Sequence, residues 1–351
     1  VDVSYSRPDE TWGYEPASEP AEDPAWGDAQ AGAPDARPSR AEQRRAAAAG
    51  ARSGRTGAHP QNTGAYRTAG ADGKEDHTLP PPSPSLLLRL PALAVTVIIS
   101  AGLVLGAQME RPVYAAGIAV LQLATVGLVT WVRKIDGAWV TLLVASVLAI
   151  AVDAAAVLWT PVSLLPITVL LALAFGAAVA GQLVRREHAG VTESLGFTML
   201  LCVAVCGYSC YIALSRLGSA PPAMYSAVVA AGTAILAARA VDLVMPDPRI
   251  NRQVTRGAFG IVIGTMCGTA SAAYAGLVIE GPDPSHAAIG GLLIALTAVL
   301  TDLACGYMSA ARRIDGAGTA PTAVVNIAGP LLAFAVTGPV VYLLSAYYMI
   351  D

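Results

Sequence analysis

From Leu86 to its C-terminus the chain is one apolar run after another, about nine of them, each close to the roughly 20 residues that carry a helix across a hydrocarbon core. The first four are Leu90 to Ala107, Val113 to Val132, Ala138 to Trp159 and Val162 to Val184. The next five are Ser194 to Leu214, Ala223 to Val244, Ala258 to Ile279, His286 to Met308 and Val324 to Tyr347. No other feature restricts the fold so severely. Lipid offers nothing to an exposed peptide group, so segments of this kind satisfy their own backbone as helices. The expectation is an all-α, polytopic transmembrane helix bundle over residues 86–351. With 54% hydrophobic and only 13% charged residues, a soluble globule is excluded.

Residues 1–85 are of another kind. They are rich in Ala, Pro, Gly and charge, acidic at first (Asp9, Glu10, Glu15, Glu19) and then basic (Arg37, Arg40, Arg44, Arg45). Such a segment buries too little apolar surface to offset its ordering entropy, and a disordered cytoplasmic tail is expected. No signal peptide is visible before the first apolar run.

Alternate connections carry the cations: Arg133 and Lys134, Arg185 and Arg186, Arg249, Arg252 and Arg256, then Arg312 and Arg313. The opposite connections carry only Arg111 and Arg216. The positive-inside rule then predicts a multi-pass protein of the cell membrane with its N-terminus cytoplasmic and its C-terminus outside. The net charge of -3 gives no nucleic-acid footprint.

Ionisable groups inside spans cost about 2.5–3.5 kcal/mol near a helix centre on insertion scales, so each asks for a reason. Arg239 and Asp242, three apart on the sixth run, are placed to pair on one helix face. Asp302 is expected about two turns inside the cytoplasmic end of the eighth run, facing a polar cavity or a partner. Asp153 reads as a helix–helix hydrogen-bonding group. Pro166 and Pro330 are read as lying near span ends, where a missing N–H is cheapest. After the sixth run a short Arg-rich loop leads into Gly260, Gly264, Gly268, Ala272 and Gly276, a smooth face on which another backbone can close. Cys202, Cys206 and Cys210 share a helix face as small packing residues, and His286 has no partner at metal-ligand spacing. No nucleophile elbow, P-loop or zincin motif occurs. The remaining candidate is a basic, partly acidic pocket at the cytoplasmic face, built from Arg239, Asp242, Arg252, Thr255, Arg256, Arg312 and Arg313 and suited to phosphate or an anionic lipid headgroup.

Three stretches between Asp242 and Tyr347 carry a resemblance. Pro248-Arg-Ile-Asn-Arg-Gln-Val-Thr-Arg-Gly257 precedes the glycine-rich helix. Gly291 to Leu303 is followed by Ser309-Ala-Ala-Arg312-Arg313, and Gly338-Pro-Val-Val-Tyr-Leu-Leu lies in the last run. Together they resemble the phosphatidate cytidylyltransferase (CDP-diglyceride synthase) family. The resemblance implies about nine spans and a cytoplasmic site for a nucleotide and a lipid phosphate, with magnesium. In an active member Asp302 and Asp315 would hold the metal, while Arg252, Arg312 and Arg313 would neutralise phosphates. The family's paired acids do not follow the basic pair here, and Asn326-Ile-Ala-Gly329 stands near their place.

Three readings follow. A non-catalytic relative binds anionic phospholipid through the basic pocket, and a second copy or another membrane protein is its expected partner. An active cytidylyltransferase makes CDP-diacylglycerol from CTP and phosphatidate. A transporter is third, because paired broken helices are not visible. Two-metal phosphoryl chemistry needs several carboxylates, so the first reading leads and no cofactor is required.

Overall fold

The computed structural model describes residues 86–133, 138–184, 190–218, 220–245, 247–249, 256–279, 283–314 and 322–348. The tail, together with Lys134, Arg185, Arg186, Arg252, Thr255 and Asp315, lies outside them, as does the side chain of Arg313.

Among the described residues the chain is an all-α bundle of nine helices, and the protein is a multi-pass membrane protein. The helices are α1 (Leu86–Gly106), α2 (Arg111–Arg133), α3 (Ala138–Leu158), α4 (Leu165–Leu183), α5 (Val191–Ser215), α6 (Pro221–Val244), α7 (Ala258–Val278), α8 (Pro284–Ile314) and α9 (Thr322–Tyr348). Eight of them, α2 to α9, are long and apolar enough to cross a bilayer, while the apolar part of α1, Leu90–Gly106, is shorter. Exposed Trp131 and Trp139 lie towards one end of the bundle and exposed Trp159 at the other, where amphipathic rings favour the lipid–water boundary.

The helices alternate in direction. Arg312, near the end of α8, donates to the last carbonyls of α2, Val132 O at 3.3 Å and Arg133 O at 2.5 Å. Arg216, just after α5, donates to Ala156 O and Trp159 O at the end of α3, at 2.6 and 2.8 Å. Each arginine supplies donors to carbonyls that a helix terminus leaves without intrahelical partners. The first contact marks the basic end of the bundle and the second the far end.

Helix α5 is the most enclosed, apolar all round as a central helix must be. It meets α9 at backbone distance: a Cβ on Gly207 would lie 2.0 Å from Ala335 O, and one on Gly338 would lie 2.1 Å from Gly207 O. Tyr208 then donates to Leu331 O at 2.6 Å, and the Tyr211 hydroxyl lies 3.1 Å from Phe334 O and 2.9 Å from the Thr337 hydroxyl. The α9 carbonyls are reachable only because glycine lets the helices close.

The expected glycine seam forms between α6 and α7. Gly260, Gly264, Gly268 and Ala272 are buried, and Ala275 takes the last rung where Gly276 was expected. A Cβ on Gly264 would lie 2.7 Å from both Ala234 O and Ala238 Cβ. On Gly268 it would meet Ala230 O at 2.8 Å and Ala295 Cβ of α8 at 2.6 Å. The ladder holds three helices in register rather than two.

Two expectations are corrected. Pro330 is not at a span end but lies well inside α9, as does Pro339. Helix α8 runs on to Ile314 instead of ending near Met308, which sets Asp302 about 18 Å along the axis from its basic end, three turns rather than two.

Candidate functional site

The tight α6–α7–α8 packing brings four charged side chains together at the basic end. Arg239 (α6) grips Asp302 (α8) with a two-pronged fork, Nε to Oδ2 at 3.0 Å and Nη2 to Oδ1 at 2.5 Å. Arg256, just before α7, donates Nη1 to Asp242 Oδ2 at 2.9 Å, and its Nη2 contacts Asp302 Oδ2. Asp302 Oδ2 is thus shared by two guanidinium groups. Asp242 Oδ1 accepts the main-chain N–H of Gly257, the residue that starts α7, at 2.9 Å. A carboxylate there is favoured by the positive end of the helix dipole.

Arg239 and Asp242 are electrostatic neighbours, as their spacing on one helix face suggested, and each also takes a charged hydrogen-bond partner from another element. Among the described residues two cations meet two anions, so these four side chains balance one another. Asp302 and Asp242 are 3% and 1% exposed and Arg239 7%, a depth at which an unpaired charge would be untenable.

Small residues make the room. A Cβ on Gly260 would fall 2.3 Å from Asp242 Oδ1, and one on Gly329 would fall 2.0 Å from Asp302 Oδ1 and 2.9 Å from Arg239 Nη2. Gly329 belongs to Asn326-Ile-Ala-Gly329, the stretch that stands where the resemblance would put paired acids. Arg239 Nη2 also donates to Asn326 O at 2.9 Å. Pro330 has no N–H to close the helical bond to that carbonyl, so the arginine takes over what the proline leaves open. This stretch therefore completes the charge cluster with a carbonyl and a gap rather than with acids.

Arg312 does not join the quartet. Besides capping α2 it lies beside Arg133, whose guanidinium sits 5.2 Å from the Phe197 ring centroid and 3.7 Å from Met308 sulfur. Glu193 approaches Arg133 only to 3.9 Å and is 70% exposed, so it is a weak counter-charge. This second basic group combines α2, α5 and α8. Arg312 was expected in the basic pocket, whereas Arg133 was visible in the sequence as a loop cation alone. Arg249 lies 3.5 Å from Asp247.

The magnesium ligands implied by the resemblance do not fit what is described. Both Asp302 oxygens accept from guanidinium groups, and no group of three His, Cys, Asp or Glu side chains among the described residues is placed to hold a metal ion. Asp315, Arg252, Thr255 and the Arg313 side chain fall outside those residues.

A third polar group was only half expected. Asp153 on α3 accepts from Gln122 Nε2 of α2 at 2.8 Å and from Ser209 Oγ of α5 at 2.6 Å. Asp153 bonds across helices as its position in a span suggested. Gln122 was missed, although a glutamine inside Ile118-Ala-Val-Leu-Gln-Leu was a usable signal. The five cysteines are unpaired as disulfides, with Cys202, Cys206 and Cys210 buried in packing.

No protein-family model, curated protein or solved structure matches the chain.

Proposed function

We propose that this membrane protein is a non-catalytic relative of the phosphatidate cytidylyltransferases that holds anionic phospholipid at its cytoplasmic face. The observation that carries the reading is the capture of Asp302 by Arg239 and Arg256. A carboxylate held by two buried guanidinium groups is a structural counter-ion, and freeing it for magnesium would strand two cations in a dry site.

The charge compensation within the quartet favours a headgroup site elsewhere. Arg239 and Arg256 have their charge compensated, whereas among the described residues Arg133 has only the distant, solvated Glu193 as a counter-charge and Arg312 binds main-chain carbonyls. Net positive charge near the lipid surface attracts anionic headgroups, by about 1 kcal/mol per basic residue. The lipid phosphate is therefore assigned to the Arg133–Arg312 group. The quartet keeps the scaffold in shape.

Two measurements on the purified full chain test this. With CTP, phosphatidate and magnesium it should form no CDP-diacylglycerol above a protein-free blank. Native mass spectrometry should find anionic phospholipid retained by the wild type and lost from an Arg133→Gln, Arg312→Gln double variant that still folds. Turnover abolished by Asp302→Asn would establish the enzyme instead, and unchanged lipid retention in the double variant would remove the headgroup assignment.

A further inference from the structure

The Asp153 group differs from the charge quartet in one decisive respect. Asp242 and Asp302 each face a guanidinium, but Asp153, equally deep at 5% exposure, faces only neutral partners. Gln122 and Ser209 are fully buried around it. Both of their donors point at one oxygen, Oδ1, while Asp153 Oδ2 and Gln122 Oε1 have no hydrogen-bond partner among the described residues.

Charged groups that face α3 do not make up the difference. Helix α4 has no acidic or basic side chain, and the cations of α2, Arg111 and Arg133, stand at its two ends. On α5 the ionisable neighbour of Asp153 is the Cys206 thiol, with Cys202, Cys210, Tyr208 and Tyr211 along the same helix. Glu193 lies a span away at the start of α5, and Arg216 is engaged with the terminal carbonyls of α3. An ionised carboxylate without a counter-ion in a low-dielectric interior is so unfavourable that such a group normally neutralises itself. One proton on Oδ2 removes the charge and leaves both bonds to Oδ1 intact.

We propose that Gln122, Asp153 and Ser209 form a proton-binding site within the bundle, in which Asp153 is held as the neutral acid. A metal cation is the wrong ligand, because the point where the oxygens converge is taken. Gln122 Nε2 lies 2.8 Å from Asp153 Oδ1, 2.9 Å from Ser209 Oγ and 3.2 Å from Val205 O. An amide NH2 filling that position turns hydrogens, not lone pairs, towards the place a sodium ion would need oxygen ligands. The site sits about 8 Å along α3 from the far end, where Arg216 caps the helix. The assignment is independent of lipid binding at the other end.

Infrared spectroscopy of the purified full chain, with aspartate carboxyl carbons labelled with carbon-13, tests it. At neutral pH the wild type should show a protonated carboxylic-acid C=O band that shifts on labelling and is lost in Asp153→Asn. Gln122→Leu and Ser209→Ala should move the band, since each removes a bond to the same carboxyl. If Asp153→Asn fails to fold, those two variants decide: a moved band supports the site, and a band unmoved in both overturns it. Absence of any such band, meaning an ionised carboxylate, overturns the proposal, as does a band abolished when sodium replaces potassium.

Discussion

Arg239 reaches across to the main-chain carbonyl of Asn326 at 2.9 Å, a carbonyl that Pro330 four residues later cannot serve. A proline that would break a helical bond at a cost thus becomes the means by which α6 and α9 are joined. The same guanidinium holds Asp302, so one side chain links three helices.

Asp302→Asn should destabilise the protein by roughly 3–5 kcal/mol, because it leaves Arg239 and Arg256 without one of their two counter-charges. Thermal unfolding in detergent measures this. The double variant Arg239→Met, Asp302→Leu should recover part of the loss, and failure of the second change to recover anything would argue against direct pairing.

Gly264→Ala should already lower the melting temperature, since its methyl would meet the backbone and side chain of α6 at 2.7 Å. Gly264→Leu should prevent assembly. Gly127→Ala, where a Cβ has nothing within 4 Å, should melt as the wild type does. Equal melting of all three would remove the case for a close-packed seam.

Tyr208→Phe should cost about 0.5–1.5 kcal/mol through the lost bond to Leu331 O, with the added penalty of a buried carbonyl losing a donor. A melting temperature identical to that of the wild type would show that the bond contributes nothing.

Orientation is tested by single cysteines in a background cleared of Cys202, Cys206, Cys210, Cys267 and Cys305. In intact cells an impermeant maleimide should label Asp283→Cys and spare Arg249→Cys. The reverse pattern would place the basic end outside.

How far this architecture is legible in the sequence varies by feature. Helices α2 to α9 follow from hydropathy, and the glycine spacing announces a close seam, because both depend on local pattern alone. The choice of ionic partners does not. Arg239 and Asp242 are neighbours on a helix, yet helix rotation against α8 and the entry into α7 gives each another partner, and rotation is set by packing that spacing does not encode. Pro330 shows the same limit: its place inside α9 is harmless only because an arginine 91 positions earlier arrives beside it. Gln122 was readable from its apolar surroundings, whereas its convergence with Ser209 required the fold.

The meeting of Gly207 and Gly338 has a mechanical consequence. Two helices touching through backbone alone have no intervening rotamer to absorb a change in separation, so α5 and α9 neither part nor slide without losing the contact and the tyrosine bonds beside it. What remains to them is rotation about that point. It is a fulcrum at the middle of the bundle, and a bilayer of altered thickness is met by the less enclosed helix α4 tilting around a centre that stays put.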